Sequence, residues 1–158
     1  MSDTRAMGRS IPHESARAQV TGSAAYVDDV PEWQGTLHAA PITSRVAHGR
    51  LLGVDAREAL AMPGVHGVVL AADIPGDPML AAFAHDEPIF AQGSVQHVGQ
   101  VIGLVVAESA LQARRAARRV RPEIEELPAI LEVREAHARQ HYVLPPVTVR
   151  RGEPEAAL

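Results

Sequence analysis

Apolar positions in the 158-residue chain fall into short runs with a strand-like period, and only one stretch carries a clear helical stripe. Val65 to Ala71 (VHGVVLA) and Val101 to Ala107 (VIGLVVA) are near-continuous, β-branched runs of the kind that form buried strands. Gly35 to Ser44 interleaves Leu37, Ala39 and Ile42 with polar groups and contains Pro41, which predicts a strand at a sheet edge or with a bend. His48 to Ala56 predicts a strand ending at Asp55, Val95 to Val98 a short one, and Val120 to Glu126 another despite Pro122. The first twenty residues read as extended, and a strand is expected over Val20 to Val27, closed by Asp28, Asp29 and Pro31.

The helical stripe begins at Ser109, an N-cap residue with Gln112 at the capping-box position. Ala110, Ala113, Ala117 and Val120 share one face, while Arg114, Arg115, Arg118 and Arg119 lie mainly on the other. A shorter helix is expected from Asp55, with Glu58 completing a capping box, to Ala61, where Pro63-Gly64 stops it. A last short helix is expected over Glu132 to Gln140. Residues 72 to 88 form a loop rich in Pro, Gly and Asp that also holds Met79, Leu80 and Phe83. A structureless loop of that length is usually functional or bound to a partner. Several strands with two to three helices and no internal repeat predict one α+β domain built on a mixed sheet.

Composition narrows the chemistry. Aromatic residues are only 3% of the chain, so the core must be built from Val, Leu, Ile and Ala. There is no cysteine, which excludes a disulfide scaffold, a thiolate zinc site, a Cys nucleophile and a Cys-ligated iron–sulfur cluster in this chain. All 15 basic residues are arginine, and the net charge of −4 gives no general attraction to nucleic acid or an anionic membrane. No apolar run approaches the ~20 residues that span a bilayer, and the polar N-terminus has no secretory signal core. A soluble cytoplasmic protein is expected.

Side chains that could carry chemistry each have a plainer reading. His137 and His141 are four apart, as on one helix face, but Ala138, Arg139 and Gln140 between them supply no general base, and a solvated helix end accounts for the pair. His85-Asp86-Glu87 sets an imidazole beside two carboxylates, and a polar loop tip accounts for it equally. The arginines from 114 to 121 lack interleaved aromatics and run into Glu123, Glu125 and Glu126, which favours a solvated or subunit-facing surface over a nucleic-acid one. Neither phosphate-binding glycine motif is present, and no serine sits in a strand–elbow context. On residues alone the chain is an α+β module without a self-contained active site.

Its motifs nevertheless fall in a recognisable order. GSAAYVDDVP (Gly22 to Pro31), GTLHAA (Gly35 to Ala40), SRVAHGRL (Ser44 to Leu51), ALAMPGVHGVV (Ala59 to Val69) and AADIPG (Ala71 to Gly76) are followed by HDEPIFA (His85 to Ala91), HVGQVIGLVVAES (His97 to Ser109) and EELPAIL (Glu125 to Leu131). Each is weak alone, but together they resemble the α/β-hammerhead domain of the aldehyde oxidase and xanthine dehydrogenase family of molybdenum hydroxylases. Within that family IPHESA (Ile11 to Ala16) and YVLPPVTVRRGEPEAAL (Tyr142 to Leu158) look most like the molybdopterin-bearing subunit of a bacterial xanthine dehydrogenase.

The resemblance implies a hammerhead domain over 21–141, preceded by an extended segment over 1–20 and followed over 142–158 by a linker toward a molybdopterin-binding domain. It implies no catalytic, metal or cofactor-binding residue in this stretch, and a family chain that runs on past Leu158. The full enzyme would hold molybdenum–molybdopterin in the same subunit and use 2Fe–2S centres, FAD and NAD on partner domains or chains. The implied partners are the molybdopterin-binding domain and an iron–sulfur/FAD subunit, in a hetero-oligomer, and the implied reaction is purine oxidation, xanthine to urate. An aldehyde oxidase or carbon-monoxide-dehydrogenase-like relative, or a free-standing binding module, is the alternative. In relatives the loop before Asp86-Glu87-Pro88 approaches the substrate channel, so the resemblance makes Phe83, with Ala84 and His85, the candidates for its entrance. Leucine is frequent at the position matching Phe83.

Overall fold

A computed structural model of the chain describes residues 8–80 and 85–157. The chain divides after Thr36 into two units. In the first, a five-residue helix α1 (Ala16–Val20) and a 3₁₀ turn (Val27–Asp29) stand where an extended segment and a strand are expected from sequence. The physical reason is local. The Thr21 hydroxyl donates to the Arg17 carbonyl at 2.8 Å, the amides of Ser23 and Ala24 both turn back to Ala18 O, and Gly22 takes φ +72°. The apolar run therefore wraps up its own helix end. Val20 and Val27 remain 85% and 87% exposed.

The second unit opens with strand β1 (His38–Thr43), then β2 (Gly49–Asp55), α2 (Arg57–Leu60), β3 (Val65–Leu70) and a 3₁₀ turn (Ala71–Asp73). Three two-residue strands follow: β4 (Met79–Leu80), β5 (Glu87–Pro88) and β6 (Ser94–Val95). The chain continues through β7 (Val101–Ala107), α3 (Ala110–Ala117), β8 (Arg121–Glu126), α4 (Val133–Ala138) and α5 (Pro154–Ala157). The strands form two three-stranded antiparallel sheets, ordered β1-β7-β3 and β6-β2-β8, and a two-stranded β4-β5 ribbon. The fold is α+β.

The most apolar run, β7, takes the central position of its sheet, where both edges are paired. Pro41 and Pro122 lie in β1 and β8, each an edge strand, where a missing N–H leaves no ladder bond unmade. Val65 to Leu70 is also an edge strand and is only half-buried, less covered than its composition suggests.

Core packing turns on a bulge. Ile42 stands opposite Gly103 and Thr43 opposite Val101, so the ladder skips Ile102. That extra residue shifts the pleat by one position. Ile102 and Val105, which a regular strand would send to opposite faces, therefore join one core cluster with Ile42, Val95, Ala116 and Val120. Ser44 is only 2% exposed, and its hydroxyl is satisfied locally, donating to Val46 O at 2.7 Å and accepting the Val46 amide.

Helix α3 starts at Ser109, whose Oγ accepts the Gln112 amide at 3.3 Å. The reciprocal half of the expected capping box differs. Gln112 Oε1 accepts the Ser109 hydroxyl at 2.6 Å, while Gln112 Nε2 donates to Pro63 O. The buried positions are Ala113 and Ala116, and Ala110 is exposed. At α2 the N-cap is Ala56 rather than Asp55. Asp55 Oδ1 still accepts the Arg57 amide, and its carboxylate takes two further bonds from the Arg57 guanidinium, which hold it well below the usual carboxylate range. Glu58, expected to complete a capping box, pairs instead with Arg121 of β8.

Candidate functional site

The described residues on either side of 81–84 are tied to each other as a two-stranded ribbon. At the base Met79 pairs with Pro88 and Leu80 with Glu87, and the Ile89 amide donates to Pro78 O at 2.9 Å. Beyond it Phe90 and Ala91 are buried, and the Ala91 amide donates to Val101 O at 2.7 Å, anchoring the returning strand on β7. The loop expected to be structureless is therefore a ribbon rooted in the core. The Asp73 carboxylate, accepting the Leu70 amide, closes the turn before it.

Of the three sequence-predicted channel residues, Phe83 and Ala84 lie outside the described residues. His85 is described, and its Nε2 stands 2.8 Å from Asp77 Oδ2 across the ribbon. Asp77 Oδ1 also accepts the Met79 amide at 2.9 Å. That backbone hydrogen bond first, and the neighbouring His85 charge after it, hold the Asp77 carboxyl below its ordinary value. Sequence reasoning groups His85 with Asp86 and Glu87, but the structure gives it Asp77, eight positions earlier. The available signal was Asp77-Pro78, a dipeptide that favours a side-chain-capped turn.

The sign of the pH effect follows. A carboxyl whose folded pKa is depressed stabilises the fold above its unfolded pKa and loses that contribution as pH falls through the folded value. The Met79 amide shift, followed by NMR, is expected to titrate with a midpoint below the ordinary Asp value of 3.8. Asp77→Asn should abolish that transition. A midpoint at or above 3.8 in the unaltered chain would overturn the assignment.

The other candidates do not converge. His137 Nδ1 meets the Tyr142 hydroxyl at 3.0 Å, a tether between α4 and the following segment. Among the described residues, no three His, Cys, Asp or Glu side chains come together as a metal site would require. Arg114 of α3 and Arg118 at its C-cap line a groove of about 810 Å³ between β1 and β8.

The family description "Aldehyde oxidase and xanthine dehydrogenase, a/b hammerhead domain" matches residues 21–128. The chain belongs to that family. The chain is 45% identical over 150 residues to xanthine dehydrogenase 1 of Arabidopsis thaliana, an alignment covering 94% of this chain and 11% of that protein. Among solved structures it is similar to the aldehyde oxidoreductase of Desulfovibrio desulfuricans, with TM-score 0.75, 33% identity, and 87% of this chain and 16% of that one covered. It is also similar to the CO dehydrogenase of Oligotropha carboxidovorans, with TM-score 0.68, 30% identity, and 82% and 16% covered. The chain thus spans about a tenth of the length of the curated relative it matches.

The family is one of molybdenum hydroxylases, so the hammerhead residues can be tested against the groups such enzymes carry. With no cysteine the chain cannot ligate an iron–sulfur cluster through thiolates. The described histidines and carboxylates do not cluster, and no glycine-rich turn opens a helix to cradle a pterin phosphate. These residues do not fit the cofactors, and no chemical step is assigned to them.

Proposed function

We propose that the chain is the scaffold and interface domain of a xanthine dehydrogenase-like molybdenum hydroxylase, whose full form oxidises a purine, xanthine to urate. The observation that carries this reading is the 45% identity to a plant xanthine dehydrogenase over 94% of the chain. Identity is lower, 33% and 30%, to the aldehyde oxidoreductase and the CO dehydrogenase. In this reading molybdenum–molybdopterin sits in a further domain of the same subunit. The 2Fe–2S centres, FAD and NAD belong to partner domains or an iron–sulfur/FAD subunit, in a hetero-oligomer. The domain contributes positioning around a cofactor that supplies the redox chemistry.

The loop at residues 77 to 90 is proposed to border the substrate channel, with Phe83, Ala84 and His85 at its entrance. The His85–Asp77 pair and the ribbon below it support this, because a loop that positions substrate must be rooted in a rigid element. Phe83→Ala in the complete enzyme should raise KM for xanthine roughly tenfold, the lower end of what one apolar contact contributes to discrimination. Unchanged KM and kcat would sink the channel role.

The wider reading is tested by expressing the gene to its natural stop codon with the neighbouring subunit and maturation factors. Bound molybdenum with xanthine turnover supports it. Molybdenum with turnover of aldehydes or carbon monoxide alone would move the protein to the other branches of the family. No molybdenum would leave a free-standing binding module.

A further inference from the structure

The groove of about 810 Å³ between β1 and β8 is lined by Arg45, Arg114, Arg118 and Arg121, with a single carboxylate, Glu126. Some arginines elsewhere have acidic partners: Arg50 with Glu125, Arg57 with Asp55, Arg139 with Glu135 and Arg150 with Glu155. Arg121 pairs with Glu58, but Arg45, Arg114 and Arg118 make no ion pair among the described residues. In a chain of net charge −4 this is a local excess of positive charge. Two edge strands and the end of α3 line it, and the aliphatic side chains of Ile42, Val46, Ala117 and Ile124 stand among its arginines.

The geometry points to a docking groove for an acidic, extended polypeptide segment carrying aliphatic side chains between its carboxylates. Guanidinium forks bind carboxylates bidentately, and clusters of them recognise acidic motifs. The mixture of guanidinium and aliphatic side chains in the lining favours a peptide, with apolar side chains beside its carboxylates, over a small anion. Pro41 and Pro122 remove backbone donors from the two strands that wall the groove, so recognition falls to side chains rather than to an added ladder strand. The charge complementarity is independent of which substrate the full enzyme takes. Only the source of the segment, a neighbouring domain or subunit, rests on the reading of the chain as part of a larger enzyme.

The test titrates the 158-residue chain with a fluorescein-labelled ten-residue peptide of alternating Glu and Val, read by anisotropy, beside a Gln–Val peptide of the same length. The acidic peptide should bind and the neutral one should not, with affinity falling as salt rises. Arg114→Glu with Arg118→Glu should weaken binding at least tenfold, and Arg114→Gln with Arg118→Gln less. Arg115→Glu with Arg119→Glu, on the same helix but outside the groove lining, should leave it nearly unchanged. Circular dichroism checks that each variant keeps its fold. Equal loss in both Glu variants would reduce the effect to net charge and overturn the proposal. So would equal affinity for the two peptides, or a tighter hold on inorganic phosphate or a thymidine oligonucleotide than on the acidic peptide.

Discussion

Ile102→Ala is expected to lower unfolding free energy by about 2–5 kcal/mol, the range for removing a large aliphatic side chain from a packed core. Ile102 is 1% exposed and is among the largest fully buried side chains of the described core. Few aromatics are available to fill a hole, because the chain has only two Phe, two Tyr and one Trp. Its neighbours Ile42 and Val105 sit on β1 and β7, held together by a ladder with a bulge, so the cavity cannot easily collapse. Urea unfolding of both chains, with unchanged m-value, gives the number. Ile102→Val should cost about 0.5–1.5 kcal/mol. A loss below that for the alanine variant would mean that the bulge does not direct residue 102 into the core.

Gly103→Ala is the second large effect, and it has the opposite cause. A Cβ at position 103 would stand 2.5 Å from Val69 O and 2.6 Å from Leu70 Cδ2. The leucine tip can rotate away, but the carbonyl belongs to β3 and can move only with the strand. Overpacking of this kind costs about 1–3 kcal/mol, and Gly103→Val should exceed that. Because the clash is with β3, its amides should lose hydrogen-exchange protection more than those of β1 on the other side of β7. Gly67→Ala is the control, since nothing lies within 4 Å of the added atom and its φ is not in the left-handed region. It should be neutral or stabilise slightly, by up to about 1 kcal/mol, through the unfolded chain. Equal effects at 67 and 103 would rule out the close approach as the reason glycine stands at 103.

These two positions show where a linear reading stops. The apolar run Val101 to Ala107 marks β7 as a strand, but not its central place, since the similar run Val65 to Leu70 lies at an edge. The run cannot show that residue 102 is a bulge. That depends on the offset between two ladders, a property of β1 and β3 together with β7. Gly103 is equally mute in sequence. At an ordinary φ it looks like a weak strand position, and its reason is a carbonyl thirty-four residues earlier in the chain.

Local signals that name their own partner fared better. Ser109 caps α3 because its hydroxyl reaches an amide three residues away, and Pro63-Gly64 stops α2 because Gly64 can adopt φ +77°. Signals with a choice of partner were decided by what the fold brought near. Glu58 had a capping-box position available and took Arg121 instead. His85 had two carboxylates beside it in sequence and took Asp77 across the ribbon.

By itself the sequence determined the α+β class, the long strands, the capped helix and, through the order of its motifs, the family. Those follow from periodicity and local hydrogen bonding, whose partners lie within a few residues. The tertiary structure alone decided the bulge that fills the core, the rooting of the 77–90 loop and the gathering of Arg45 with Arg114 and Arg118 in one groove. Residues 45 and 114 line one groove only because α3, following β7, packs back on β1, and no local periodicity encodes a distance across sixty-nine positions.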